Sequence, residues 1–387
     1  MEARKVNKKL LAPVLMGFFI MGFCDMVAPV TGLIGAEYGA FGQRAVSFLP
    51  TMVFLWFLLL SVPIASLMNR IGRKATARIG YAFTFVGLLL PYFAGQGGAL
   101  AWYFAGFGLL GIGNTAIQVA INPLLATVVP EERMTSYLTV GQIFRNTALL
   151  LLAPAVTLFV AWTGDWRLLL PVYAALTLVG GVWLQLTEVE EPVPSARAVG
   201  IGACFRLLAD RTVLLCTLGV ACFIAADVGV GFVSVRLIDD AGSILTTTGF
   251  YALRIVGTLI GAWVLLRISD VRYLRWNMLL ALALCGGLFL VRSEAAVFAL
   301  VGVLGFTLSC VFATLYAVAT RSAPGRSNEV AGLMILAISA GAVSGPVCGA
   351  LIRWVGTPRA GMIFVVACVC YLLWASTALK AGSPKKE

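Results

Sequence analysis

The chain has 387 residues, 60% hydrophobic and only 12% charged, with a mean hydropathy of +0.97 and a net charge of +11. A soluble globular chain carries about twice that charged fraction. Composition therefore excludes a soluble catalytic or nucleic-acid-binding domain and leaves a polytopic membrane protein. Its apolar runs are continuous over about 20 residues, enough for a helix to cross a bilayer, whereas barrel strands alternate apolar and polar. There is no His, so a His-based metal site or proton relay is ruled out. The nine Cys are scattered within apolar runs and read as small packing residues. No metal or other cofactor is expected.

Hydropathy predicts twelve spans, near 10–35, 45–68, 75–95, 98–128, 134–162, 167–187, 212–236, 246–268, 272–292, 295–320, 328–355 and 358–379. The first run is too long for a cleavable signal and is followed by further spans. Between spans six and seven lies TEVEEPVPSARAVGIGACFRLLADR, charged and holding two prolines. It reads as a linker with an interfacial helix. The predicted organisation is thus an all-α membrane protein: a six-helix bundle over 1–187, a cytoplasmic linker over 188–211, and a second six-helix bundle over 212–387.

Lysine and arginine set the orientation. With a cytoplasmic N-terminus the inside segments hold twenty of the 28: Arg4, Lys5, Lys8, Lys9, Arg70, Arg73, Lys74, Arg78, Arg133, Arg197, Arg206, Arg211, Arg267, Arg272, Arg275, Arg321, Arg326, Lys380, Lys385 and Lys386. The outside loops hold five, Arg44, Arg167, Arg292, Arg353 and Arg359, and three lie within or near span ends. Both termini are therefore expected in the cytoplasm of a cell's inner or plasma membrane. The short loops leave no room for a soluble catalytic domain.

The first span, GFFIMGFCDMVAPVTGLIG, carries Asp25 near its middle. A charge there costs about 3 kcal/mol on insertion scales, and such residues mark substrate or ion pathways. Of the seventeen acidic residues, the other one deep within a span is Asp227, in span seven. Each sits about fifteen residues into its span, as expected of equivalent helices in a six-plus-six duplication. Two carboxylates at matching depth read as two half-sites of one cavity. Both are candidate proton-coupling residues. Arg145 in span five and Arg254 in span eight are the deep cations, so each half holds one acid and one base. Pairing would lower the burial cost, and the cancellation favours a neutral substrate. Either Arg could instead clamp a substrate oxygen, or the pairs could be purely structural. Arg236, near the outer end of span seven, can snorkel.

Span four reads GIGNTAIQVAINPLLATVV. Asn114, Gln118 and Asn122 recur every four residues and share a face. They read as donors and acceptors for a hydroxyl-rich ligand, or as interhelical glue. Pro123 ends the row and bends the helix. In span five Gln142, Arg145 and Asn146 share a face. Trp56, Phe223 and Tyr316 are candidates for stacking on sugar rings, against ordinary packing.

After span two, ASLMNRIGRKATARIG resembles the major facilitator superfamily loop motif G-x-x-x-D-R-x-G-R-K. Arg70, Gly72, Arg73 and Lys74 match, while Ala65 replaces the Gly and Asn69 the Asp. The resemblance implies a cytoplasmic gating loop, weakened on its acidic side. Residues 114–146 are similar to the fucose permease branch of sugar–proton symporters, with Q/E-x-x-x-N-P in span four and L-x-x-x-Q-x-F after it. Gln118, Asn122, Pro123, Leu138, Gln142 and Phe144 match. Asp25 and Arg254 fall where that branch has its span-one acid and span-eight Arg, but Gln118 stands in place of a span-four acid, and Asp227 is not an element of the branch. The efflux motif G-x-x-x-G-P-x-x-G-G is missing from span five; its near match GAVSGPVCGA lies in span eleven, where close packing explains it. The resemblance implies proton-coupled import of a small neutral solute, a monosaccharide first, by a monomer in the lipid bilayer with no cofactor. The rivals are an exporter or antiporter of organic anions or amphiphiles and a non-transporting nutrient sensor. No nucleophile–base set or phosphate loop supports an enzyme or an ATP-driven pump.

Overall fold

The computed structural model describes residues 8–379 apart from 96–97, 190, 192–199 and 239. Arg4, Lys5, Arg197, Lys380, Lys385, Lys386 and most of the central linker lie outside the described residues. The described chain holds no strand. Ten helical runs among the described residues are long and apolar enough to cross a membrane. With Arg73–Ala94 and the apolar stretch Thr248–Val264, the passages are consistent with the expected twelve.

The first span is α1 (Lys8–Met21), a 3-10 turn (Gly22–Met26) and α2 (Val27–Gly35). A short α3 (Ala40–Val46) leads into α4 (Leu49–Ile71), α5 (Arg73–Ala94), α6 (Leu100–Val128), α7 (Met134–Thr163) and α8 (Leu169–Leu186). The second half runs through α9 (Ile201–Arg206), α10 (Arg211–Ser234), α11 (Asp240–Val264), α12 (Asp270–Leu290), α13 (Glu294–Leu308), α14 (Val311–Ser322), α15 (Ser327–Ile338), α16 (Gly341–Val355) and α17 (Met362–Ala378). Spans ten and eleven are each interrupted, at Ser309–Cys310 and Ser339–Ala340.

The chain forms two compact units. Unit 1 comprises Met1–Glu131, Phe144–Phe205 and Ser327–Leu336; unit 2 comprises Glu132–Ile143, Arg206–Arg326 and Ala337–Glu387. Each unit therefore takes in the start of one helix from the other half of the sequence, α15 in unit 1 and α7 in unit 2.

Unit 1 is built on α5 against α6. A Cβ on Gly113 would lie 2.5 Å from the Thr84 backbone nitrogen, and one on Gly87 would lie 2.5 Å from that of Leu110. Glycine at these positions lets the two backbones touch, which is how helices associate without a hydrophobic drive between them. Outward-facing side chains such as Leu58, Leu59, Leu178 and Val179 are exposed and apolar. Trp162 and Trp354 stand exposed at the ends of α7 and α16, as in an interfacial belt.

The two halves repeat a turn. Gly164 and Gly356, with φ of +76° and +79°, each stand three residues before an arginine in a 3-10 turn that opens the next span, Arg167 and Arg359. That φ is routine only for glycine.

Candidate functional site

Unit 1 brings together Asp25 and Arg145. The first span loses its α-helical form at Gly22–Met26. A Cβ on Gly22 would lie 2.6 Å from the Arg145 carbonyl oxygen and 2.7 Å from the Ala148 Cβ, so only glycine permits this approach. It delivers Asp25, three residues on, to the Arg145 side chain. Arg145 Nε donates to Asp25 Oδ2 at 2.8 Å and Nη2 to Oδ1 at 2.9 Å. This is a two-pronged fork, the strong form of arginine–carboxylate pairing. Both side chains keep some exposure, 19% and 29%.

The three α6 amides belong to the same unit and are buried. Asn114 rests against the Cys24 thiol, next to Asp25. Gln118, one turn on, has neither its Oε1 nor its Nε2 bonded within the protein. Buried polar atoms are bonded in the great majority of cases, so an amide with both ends open is a ready place for a polar ligand. Asn122 is partly committed: its Nδ2 donates to the Gln118 carbonyl at 2.7 Å, while its Oδ1 is buried without a bond. Trp56 reaches over Gly111 from α4, where a Cβ would meet its Cδ1 at 2.7 Å, and its Nε1 is buried with no bond. Asn146 is buried one residue past Arg145.

Unit 2 brings together Asp227 and Arg254. Arg254 Nη1 donates to Asp227 Oδ1 at 2.5 Å. The guanidinium carbon lies 5.7 Å from the Phe223 ring centre and 5.9 Å from that of Phe250, within cation–π range. Arg254 Nε is buried and makes no hydrogen bond. Tyr316 is fully buried and packs at a tilt on Phe312, with ring centres 5.8 Å apart. Gln142 belongs to this unit, and its Nε2 is buried without a bond. Asp25 lies 25 − 9 = 16 residues after the start of its membrane run and Asp227 lies 227 − 211 = 16 after the start of its own. The acids correspond, but the bases do not: the first comes from span five and the second from span eight.

The loop after α4 forms a further cluster in unit 1. Gly72, with φ of +87°, makes the turn. Arg73 is buried and donates to three neutral oxygens: Nε to Asn328 Oδ1 at 2.8 Å, Nη1 to the Pro123 carbonyl at 2.8 Å and Nη2 to Ser327 Oγ at 2.6 Å. Asn69 Oδ1 accepts from Asn328 Nδ2 at 2.7 Å. Lys74 Nζ donates to the Thr187 carbonyl at 2.7 Å, and Arg70 is exposed. Glu191 from the linker accepts from the backbone N–H groups of both Arg73 and Lys74, at 2.6 and 2.9 Å. A carboxylate there satisfies the open N–H groups that begin α5.

Sequence reasoning missed three groups. Glu191 is one. Arg167 is another: far from being a free loop cation, it is 1% exposed, bonded to Tyr103 at 2.6 Å, to Asp165 at 2.9 Å and to Glu37. The third is Asp270, buried at the start of α12, ion-paired with Arg321 and accepting from Thr135 Oγ1 at 3.1 Å. The repeated G-x-x-R was the available signal for Arg167; no local pattern marks the other two.

A multi-pass helical membrane protein with an acid–base pair inside a span of each sequence half, and an open buried amide in the same unit as one of them, is built like a carrier of polar solutes. The family model described as Major Facilitator Superfamily matches residues 14–346, and the chain belongs to that family. Among curated proteins it is 25% identical over 339 residues to a glucose/galactose transporter of Brucella abortus biovar 1, strain 9-941, covering 81% of this chain and 80% of that one. A putative glucose/galactose transporter of Helicobacter pylori strain 26695 is 22% identical over 347 residues, covering 81% and 82%. Among solved structures the E. coli fucose:proton symporter superposes with a TM-score of 0.84 at 15% identity, covering 98% of this chain and all of that one. A second structure, of the same symporter in the outward conformation, gives 0.81 at 15% identity, covering 96% and 99%.

Proposed function

We propose that the chain imports a small neutral solute, a hexose or deoxyhexose, together with protons, by alternating access. The observation that carries this reading is the Asp25–Arg145 fork with the open Gln118 amide in the same unit. The names of the curated relatives support a sugar, and the fucose:proton symporter supports proton coupling. In this reading the protein is a monomer in the cell's inner or plasma membrane, with both termini cytoplasmic, driven by the proton gradient without a cofactor.

Asp25 takes a proton from the outer side. Protonation loosens the fork and frees the two Arg145 prongs for sugar hydroxyls. Asn114, Gln118, Asn122 and Asn146 supply further hydrogen bonds, and Trp56 gives the ring an apolar face. Sugar in the fork in turn favours the protonated acid, because linkage is reciprocal. Asp227 with Arg254 serves the second half in the same way. The halves then rock about the loaded site, and deprotonation on the inner side releases the sugar.

The test is external pH in lightly buffered, de-energised cells given hexoses, deoxyhexoses and organic anions one at a time. Alkalinisation with one sugar, abolished in Asp25→Asn while counterflow of labelled sugar persists, is the expected result. A response to an anion alone, lost when Arg145 and Arg254 are neutralised, would replace this reading with anion transport.

A further inference from the structure

We propose that Arg236 and Arg353 form a binding site for the headgroup of an anionic phospholipid, at the membrane interface where α10 and α16 end.

The site is built on one aromatic ring, and all of its parts belong to unit 2. Phe232, in the last turn of α10, lays its ring along α16. A Cβ on Gly345 would lie 3.6 Å from the ring's Cδ2 and Cε2, and one on Gly349 would lie 3.7 Å from its Cζ. The two glycines, one turn apart, give the ring a flat bed. Arg236, one turn beyond Phe232, stacks on that ring with its guanidinium carbon 3.6 Å from the ring centre. Its Nη1 donates back to the Phe232 carbonyl at 2.5 Å. Arg353, one turn beyond Gly349, brings its Nη1 to 3.5 Å from the point where a Gly349 Cβ would stand, beside the tip of the same ring.

Two guanidiniums are thereby gathered at one ring, and among the described residues no acid meets either. The contrast with the other arginines is sharp. Arg145, Arg167, Arg254 and Arg321 each have a carboxylate. Arg359 is committed to the Leu288 and Val291 carbonyls at 3.3 and 2.9 Å. Like charges brought together repel, and an anion between them turns repulsion into attraction. The sequence suggests that Arg236 snorkels away into water. Its side chain instead folds back onto its own helix, while both arginines stay exposed. Each guanidinium therefore keeps donors open to a ligand.

The surroundings define the anion. Forked guanidinium donors suit phosphate oxygens. Val235, Val343 and Trp354, from the same two helices, are apolar and exposed. A soluble phosphate would leave them bare, whereas the acyl chains of a lipid cover them. The basic count puts this end of both helices on the outer side, where arginine is the less favoured. A bound headgroup accounts for two of them there.

Native mass spectrometry of the intact, delipidated protein in a neutral detergent tests this, with phosphatidylglycerol, phosphatidylcholine and inorganic phosphate as probes. Wild type should hold one phosphatidylglycerol about tenfold more tightly than phosphatidylcholine. Arg236→Gln or Arg353→Gln should weaken that binding about fivefold, and the two together about thirtyfold. Arg353→Lys, which keeps the charge, should hold within about twofold. Arg44→Gln, which removes an exposed arginine from unit 1, should change nothing. Phosphatidylglycerol should raise the melting temperature of wild type and leave that of the double variant where it was. Equal affinity for the two lipids, unchanged binding in the double variant, or an equal loss in Arg44→Gln overturns the proposal. So does displacement of the lipid by millimolar phosphate with the same rise in melting temperature, which would mark a site for a free anion. If the double variant does not fold, the single variants decide.

Discussion

Gly22 and Arg145 touch through their backbones: a Cβ on Gly22 would sit 2.6 Å from the Arg145 carbonyl oxygen. The approach sets the fork that Arg145 makes with Asp25. Gly22→Ala should cost about 1–3 kcal/mol in thermal stability and lower proton-coupled uptake about a hundredfold, since a shift near 1 Å at a reacting site has that effect. Gly32→Ala, on the same span with nothing within 4 Å, should leave uptake unchanged. Equal effects in the two variants would detach the approach from function.

Arg145→Gln should lower the melting temperature measured in detergent, because Asp25 loses its counter-ion. The partial exposure of both groups keeps the loss below the roughly 3–5 kcal/mol of a fully buried pair. Asp25→Asn with Arg145→Gln should recover stability, as paired neutral groups often do, but not sugar accumulation. A double variant that still accumulates sugar would make the pair structural only.

Gln118→Ala separates ligand binding from glue. Both polar ends of Gln118 are buried without a protein bond, so removing them should leave stability unchanged or slightly higher. Sugar binding, followed by intrinsic tryptophan fluorescence, should weaken about tenfold, the equivalent of one lost hydrogen bond. A melting temperature that falls while affinity holds would reverse the assignment.

Arg167→Met should destabilise by about 3 kcal/mol, since it leaves Glu37 and Asp165 close together without their shared cation. The readout is survival of monodisperse protein after heating. KM for sugar in the surviving fraction should be unaltered, because Arg167 lies apart from the Asp25 fork in the chain and shares none of its bonds.

The long apolar runs made the all-α membrane class and the positions of the helices legible, because lipid leaves few alternatives to a helix. Asp25 and Asp227 were equally legible, as charges where charges are costly. Their partners were less so. Nothing local says that Asp25 meets α7 while Asp227 meets α11, since that depends on helix packing. The 3-10 turn at Gly22–Met26 carries no proline and follows from a close contact 123 residues away, 145 − 22. The amide row drifts around its helix. Asn114 and Asn122 are eight residues apart, which at 3.6 per turn leaves them about 80° out of line, and Asn122 bonds to its own helix. Asp270 and Glu191 looked like ordinary loop acids because their partners are distant in sequence.

Thr135 and Arg145 ride on one unbroken helix, ten residues and about 15 Å apart. The proline within α7, Pro154, lies beyond both, so no hinge separates them. In the proposed transport cycle, a shift of Arg145 along the axis would carry Thr135 with it, because the unbroken helix holds their spacing without any relay of side chains.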